Sequence, residues 1–310
     1  MATQKQFEAI NSAIIEALEA GTVPWRKSWA SPAGNQFPHN AITGKRYRGL
    51  NVFNLWAVAA RNGFESQAWL TEKQALALGG IKKQGSRYQF IQFWKFDKKD
   101  TGEIDSKGNH IFKKIFIFNL YKVYNVEQWD GLKLPKRELV DNSKADTFDP
   151  IEEAESIINA YLANGGPTVA HNGGDRAYYS PANHSIHLPK QAQFESKAEY
   201  YSTKFHEAVH STGHETLLGR FKDDTGPVHF GSERYSREEL VAEFGNAYLC
   251  AEVGIADDTL DNSAAYIQNW LTALKGDYTL ALTAASRAQK AADLILSASQ
   301  ELISESEVTA

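Results

Sequence analysis

The 310-residue chain has one cysteine, one methionine and nine prolines. Cys250 has no intramolecular partner, which excludes a disulfide framework and suits a reducing compartment. No apolar run approaches the ~18 residues of a membrane-spanning helix, so neither a span nor a membrane partner is expected. The N-terminus lacks a basic start leading into an apolar stretch and a small-residue cleavage site. No secretory signal is therefore expected, and the expected location is cytoplasmic. Residues 1–21 read instead as an amphipathic helix, with Phe7, Ile10, Ile14 and Leu18 on one stripe and Gly21 as its stop. Repeats with a period of roughly 20–50 residues and low-complexity tracts are missing too. With 42% hydrophobic and 23% charged residues, what remains is an ordinary globular composition, long enough for one large domain or two modest ones.

The net charge of −5 hides an asymmetry. Residues 1–137 hold 21 Lys+Arg against 11 Asp+Glu, a net of +10, while the rest holds 12 against 27, a net of −15. Six of the seven tryptophans lie in the basic part; only Trp270 lies beyond it. Opposite charge in two halves suggests two modules with different partners. The stretch 131–150, with Pro135, Pro150 and small polar residues between them, has the composition of a linker.

In the basic half, residues 43–63 read as a basic stretch leading into an apolar helix ended by Gly63, and 66–80 as a second helix. Residues 81–100 and 110–130 alternate aromatic and aliphatic side chains, as two or three strands joined by a hairpin at 97–109. Cations beside flat rings are what a single-strand binder needs: Lys and Arg follow phosphates, and rings stack on unpaired bases. The candidates are Trp25, Arg26, Lys27, Trp29, Lys45, Arg46, Tyr47, Arg48, Lys82, Lys83 and Arg87. The competing expectation is that most of these aromatics simply form a small core.

In the acidic half, His206-Glu207-Ala208-Val209-His210 is an H-E-x-x-H motif in an apparent helix. Spacing of i and i+4 sets both imidazoles on one helix face, where they can share a metal ion, with Glu207 beside a water as general base. Zn2+ is the expected ion, with Mn2+ or Co2+ as alternatives. A third ligand is expected from the later helix 236–254. There Glu239 and Glu243 are again i and i+4, Glu239 as the ligand and Glu243 as its neighbour orienting a histidine. Glu238 and His214 are the alternatives. Residues 176–190 read as a hairpin turning at Pro181–Asn183, whose strand could pair with an extended peptide. Tyr178, Tyr179 and His229 are further candidates for oxyanion support. Rival readings are a buried His pair with a salt-bridged Glu, and a metal that only stabilises the fold.

The stretches AYYSPANHSIHLP, FHEAVHSTGH and REELVAEFGNAYLC resemble the metallopeptidase domain of ArdC-type antirestriction proteins. VPWRKSW, YRGLNVFNLW and FNLYKVYNVEQW resemble the single-stranded-DNA-binding domain of the same family, which also occurs in TraC-type plasmid primases. The resemblance implies a plasmid-borne protein that protects incoming DNA from host restriction enzymes. It implies metal ligands at His206, His210 and Glu239 with Glu207 as base. The expected fold is α+β with two domains: a small, basic, aromatic-rich α+β domain (1–137), a linker (138–150), and a helical zincin-like, gluzincin-type domain with a small antiparallel sheet (151–310). Expected partners are single-stranded DNA and, as a target of the zinc-dependent metallopeptidase, a restriction-system protein. A pure DNA shield with a structural metal and a metal-dependent nuclease remain as alternatives. Two-metal nucleases, however, want more carboxylates than this motif offers.

Overall fold

A computed structural model describes residues 4–25, 37–135, 149–222, 233–255 and 264–308. The expected linker falls largely outside them. The fold is α+β. In chain order its first part holds α1 (Gln4–Glu19), β1 (His39–Asn40), α2 (Leu50–Asn62), β2 (Ala68–Leu70), α3 (Glu72–Ala77), β3 (Ile81–Lys82), β4 (Gln89–Ile104), β5 (His110–Asn125) and β6 (Trp129–Asp130). Its second holds α4 (Pro150–Ala163), β7 (Thr168–Ala170), β8 (Tyr178–Ser180), β9 (Ser185–His187), α5 (Lys197–Ser211), α6 (Glu233–Val253), α7 (Ala264–Gly276) and α8 (Leu280–Val308).

Helix α1 buries Ile10, Ile14 and Leu18, as its stripe requires. Helix α2 is buried continuously from Leu50 to Ala59, so it is a core helix with no wet face, and Gly63 ends it in the left-handed conformation. The stretch 66–80 departs from the expected single helix. Ala68–Leu70 is strand β2, inserted between β1 and β5, and the helix begins only after Thr71, which forms a capping box with Gln74. Sheet pairing overrides the local helical pattern there, and the capping box marks the true start. Strands β4 and β5 form one long ribbon closed at 105–109, where the Asp105 carboxylate accepts from the main-chain N–H groups of Lys107 and Asn109. The expected hairpin is there, but pairing persists to Ile104 and His110, so its turn is shorter than expected.

The first sheet runs β1-β2-β5-β4, and β3 pairs with β6 in a separate ribbon. The small sheet of the second part runs β7-β9-β8 and is mixed, not antiparallel as expected. The tight turn at 181–184 makes β8 and β9 antiparallel, as a hairpin must be. Strand β7 precedes that hairpin and lies against its far strand, so it runs parallel to β9. The two parts share one hydrophobic core: Ile14, Phe53 and Trp56 belong to the same buried cluster as Phe205, Phe244 and Trp270.

Candidate metal centre and nucleic-acid face

Two helices build the centre. Ser196 caps α5, its hydroxyl accepting from the Glu199 N–H at 3.0 Å. Helix α6 crosses close beside it because Gly245 leaves room: a Cβ there would lie 2.7 Å from both Val209 methyls. Val209 is the second variable residue of the H-E-x-x-H motif, so the spacer and the glycine together set the depth at which α6 presents its carboxylates.

Helical spacing then does what the motif requires. His206 Nε2 lies 3.5 Å from one oxygen of Glu239, and His210 Nε2 lies 3.6 Å from the other. Donor atoms of these three residues fall within 4.8 Å of one another. Behind each imidazole stands a further carboxylate. Glu243 Oε1 is 3.4 Å from His206 Nδ1, and Glu238 Oε1 is 3.4 Å from His210 Nδ1. A neutral imidazole has one N–H and one lone pair. If Nδ1–H serves the outer carboxylate, the Nε2 lone pair is left facing the Glu239 side of the centre. That is the donor arrangement of a divalent metal site, and the residues fit one.

Electrostatics follow the same geometry. Burial pulls the His206 imidazole down, but Glu239, Glu207 and Glu243 outweigh it and hold it up at about 9. His210 is raised against burial by Glu239 and Glu238. Burial would raise Glu239, yet His210 and His206 hold it at about 2. Glu207 goes the other way: burial raises it, opposed by the two histidines. The nearby main chain of Tyr179 on β8, an edge strand of its sheet, also opposes that rise.

Glu238, an alternative ligand on sequence grounds, is turned outward. Arg220 grips it through Nη2 at 2.6 Å and Nε at 3.3 Å. The same guanidinium donates to the Val209 carbonyl at 2.8 Å and to the Thr212 hydroxyl at 2.6 Å, closing the end of α5. Arg220 had no spacing signal; it reaches the centre only through the turn after α5. His214 is not brought into the cluster: its Nδ1 pairs with the Thr216 hydroxyl and its ring packs 4.1 Å from that of His184. Tyr178 lies half exposed on the β8 edge, stacked on His187 of the central strand β9, and the Tyr179 hydroxyl pairs with His184 Nδ1 at 2.8 Å. His229 lies outside the described residues.

The nucleic-acid candidates divide. Arg26, Lys27 and Trp29 lie outside the described residues. Trp25 is corrected: only 2% exposed, it packs against Phe53, Phe244 and Trp270 and points its indole N–H at Glu243 Oε2, 3.4 Å away. A ring held so has no face for a base. Lys45, Arg46, Tyr47 and Arg48 line a cavity of about 740 Å³. Tyr47 is half-buried, and burial raises its hydroxyl pKa. Lys82 pairs with Glu72 at 2.6 Å over the Tyr124 ring, and Lys83 pairs with Asp130 at 3.5 Å. These two and the exposed Arg87 do not line that cavity. Phe93, Trp94 and Tyr121 do, and were not singled out from the sequence. The signal was there: apolar residues on both faces of β4 and β5 exceed what a two-stranded ribbon can bury.

Comparison with known proteins completes the picture. A model for the N-terminal domain of anti-restriction factor ArdC matches residues 4–124, and one for zincin-like metallopeptidases matches 152–287. The metal-free crystal structure of the antirestriction ArdC protein from plasmid R388 superposes with a TM-score of 0.72 at 37% identity, covering 95% of this chain and 98% of that one. This chain belongs to the ArdC family. The Mn(II)-bound structure of that ArdC protein matches with a TM-score of 0.71 at 38% identity, covering 94% and 97% of the two chains. DNA primase TraC from Escherichia coli is 37% identical over 98% of this chain, which spans about a fifth (21%) of the primase. Uncharacterized protein y4eC from Sinorhizobium fredii is 32% identical, covering 93% of this chain and 90% of its own. No helix among the described residues is long and apolar enough to cross a membrane.

Proposed function

We propose that this ArdC-family chain protects incoming plasmid DNA from host restriction enzymes. Its first part binds single-stranded DNA without reading sequence, and its second part carries a metal-dependent hydrolytic centre of the peptidase type. The domain division at 138–150 belongs to this reading, as does a restriction-system protein as the target. The observation that carries the hydrolytic assignment is the convergence of His206, His210 and Glu239, with Glu207 on the same helix and an outer carboxylate behind each imidazole.

Two imidazoles and a carboxylate suit Zn2+, and Mn2+ or Co2+ can take the same donors. The Mn(II)-bound ArdC relative supports a divalent ion at such a centre. Once bound, the ion would polarise a carbonyl and make a water more acidic. The chain's own residues do the rest. His210 keeps its Nε2 lone pair inward when its Nδ1–H donates to Glu238, and Glu243, 3.4 Å from His206 Nδ1, favours the same tautomer there. Glu207, buried beside them, accepts the proton of the attacking water and carries it to the leaving amine. The β8 edge next to Glu207 offers main-chain groups to an extended peptide.

One observation favours a second reading, a DNA shield with a structural metal. Glu207 is only 7% exposed, which leaves a water or a scissile carbonyl little room beside it. Glu207→Gln separates the two. On the first reading the variant retains metal, loses peptide hydrolysis and fails to protect plasmid DNA in restricting cells. Full protection by the metal-loaded variant would instead support the shield.

A further inference from the structure

The cavity that Lys45, Arg46, Tyr47 and Arg48 line is not enclosed by the first part alone. One face of α8 in the second part forms its opposite side, through Leu282, Ser286, Gln289, Lys290 and Asp293. Their spacing of four, three, one and three residues is that of a single helical stripe. The basic loop is bolted to the second part at several points. Gly49 donates its N–H to Gln289 Oε1 at 3.2 Å, and the Tyr248 hydroxyl donates to the Gly49 carbonyl at 2.8 Å. Arg46 pairs with Glu252 at 2.7 Å, and Arg48 pairs with Asp293.

The contents of the groove fit a strand of unpaired nucleotides. Phe93 from β4 and Tyr121 from β5 share one face of the ribbon and line it, 55% and 46% exposed, with ring centroids 6.3 Å apart. Large aromatic faces left half in water beside cations are what base stacking uses. Lys45, Arg46, Arg48 and Lys290 stand against a single carboxylate, Asp293, in the lining. Arg46 and Arg48 are ion-paired but half exposed, and exposed pairs hold only weakly, so phosphates can replace the carboxylates.

We propose that this groove holds single-stranded DNA and that α8 is one of its walls, so that binding belongs to both parts of the chain together. Lys290 supplies a phosphate contact, and Phe93 and Tyr121 supply the stacking faces. The inference rests on the reading that the chain binds single-stranded DNA, and it assigns a role to a helix of the metallopeptidase part that is remote in sequence from the H-E-x-x-H motif. It also implies that the first part in isolation has only half of the site.

The test uses the full-length protein and a fluorescein-labelled oligothymidylate, with anisotropy read across a salt series. Lys290→Glu should bind roughly tenfold more weakly at low salt, with a salt slope shallower by about 0.7 per lost contact. Phe93→Ala should weaken binding roughly 5- to 150-fold. Asp293→Asn should tighten it. Lys190→Glu, an equal charge change in the same part but off the groove, should leave it unchanged. If Lys290→Glu and Phe93→Ala bind like the wild type, the groove is wrong while the DNA-binding reading stands. If Lys190→Glu weakens binding as much as Lys290→Glu, α8 is only part of a diffuse field and the proposal fails. If the wild type does not bind the oligonucleotide, the underlying reading fails and takes the groove with it.

Discussion

The centre on α5 and α6 and the groove beside α8 solve opposite problems. In the centre, His206, Glu207 and Glu243 are buried on two rigid helices, and every imidazole nitrogen faces a carboxylate. In the groove, aromatic rings are half exposed and the arginines are held by exposed ion pairs across two parts of the chain. Chemistry on a bound substrate demands donors placed to within about 0.5 Å, which only a supported inner layer provides. Sequence-tolerant binding of a flexible strand makes no such demand, because every base has a face to stack and every nucleotide a phosphate. The same molecule therefore has a stiff site where each residue matters and a tolerant surface where losses are graded.

Substitutions can break or sharpen that contrast. The largest effect is expected for Glu207→Gln, which should lower peptide hydrolysis by about 100- to 10,000-fold at unchanged metal content, measured on purified metal-loaded protein. Retained hydrolysis would mean that Glu207 is not the base. Arg220→Ala should come next, because it leaves the Glu238 carboxylate buried without its guanidinium. A loss of about 3–5 kcal/mol in urea unfolding is expected, and a loss below about 1 kcal/mol would show that the pair is dispensable. Glu243→Gln removes a charge behind His206 and should weaken metal affinity about 10- to 100-fold in a competition titration, with the fold intact. On the tolerant side, Arg48→Ala removes only an exposed pair with Asp293. It should change stability by less than about 1 kcal/mol. A destabilisation as large as that of Arg220→Ala would erase the distinction between the two regions.

The contrast also explains what could be read from the chain in one dimension. His206 and His210, and likewise Glu239 and Glu243, sit at i and i+4 on helices, and helical geometry converts that spacing directly into convergence, with Glu207 next to His206 in the same turn. The hairpin β8–β9 and the amphipathic α1 were legible for the same reason, a short period matching a local structure. Arg220 was not, because it reaches Glu238 by a turn whose path no periodicity encodes. Trp25 looked like a stacking residue beside Arg26 and Lys27, but the fold places it in the shared core against Phe244 and Trp270. The strand Ala68–Leu70 was hidden in an apparently helical stretch because its partners β1 and β5 are distant in sequence. Groove residues from α8 were illegible from the basic half, since more than 230 positions separate Arg48 from Asp293 and only tertiary packing joins them.

The most direct test of the account is elemental analysis of metal bound per folded chain in wild type and Glu239→Ala, with Glu238→Ala alongside. The geometry predicts about one divalent ion per wild-type chain and strong depletion in Glu239→Ala. Glu238→Ala should still fill at saturating metal, because that carboxylate stands behind His210 and does not close the donor set. Full occupancy in Glu239→Ala together with depletion in Glu238→Ala would contradict it, and would move the third ligand to the carboxylate that Arg220 holds.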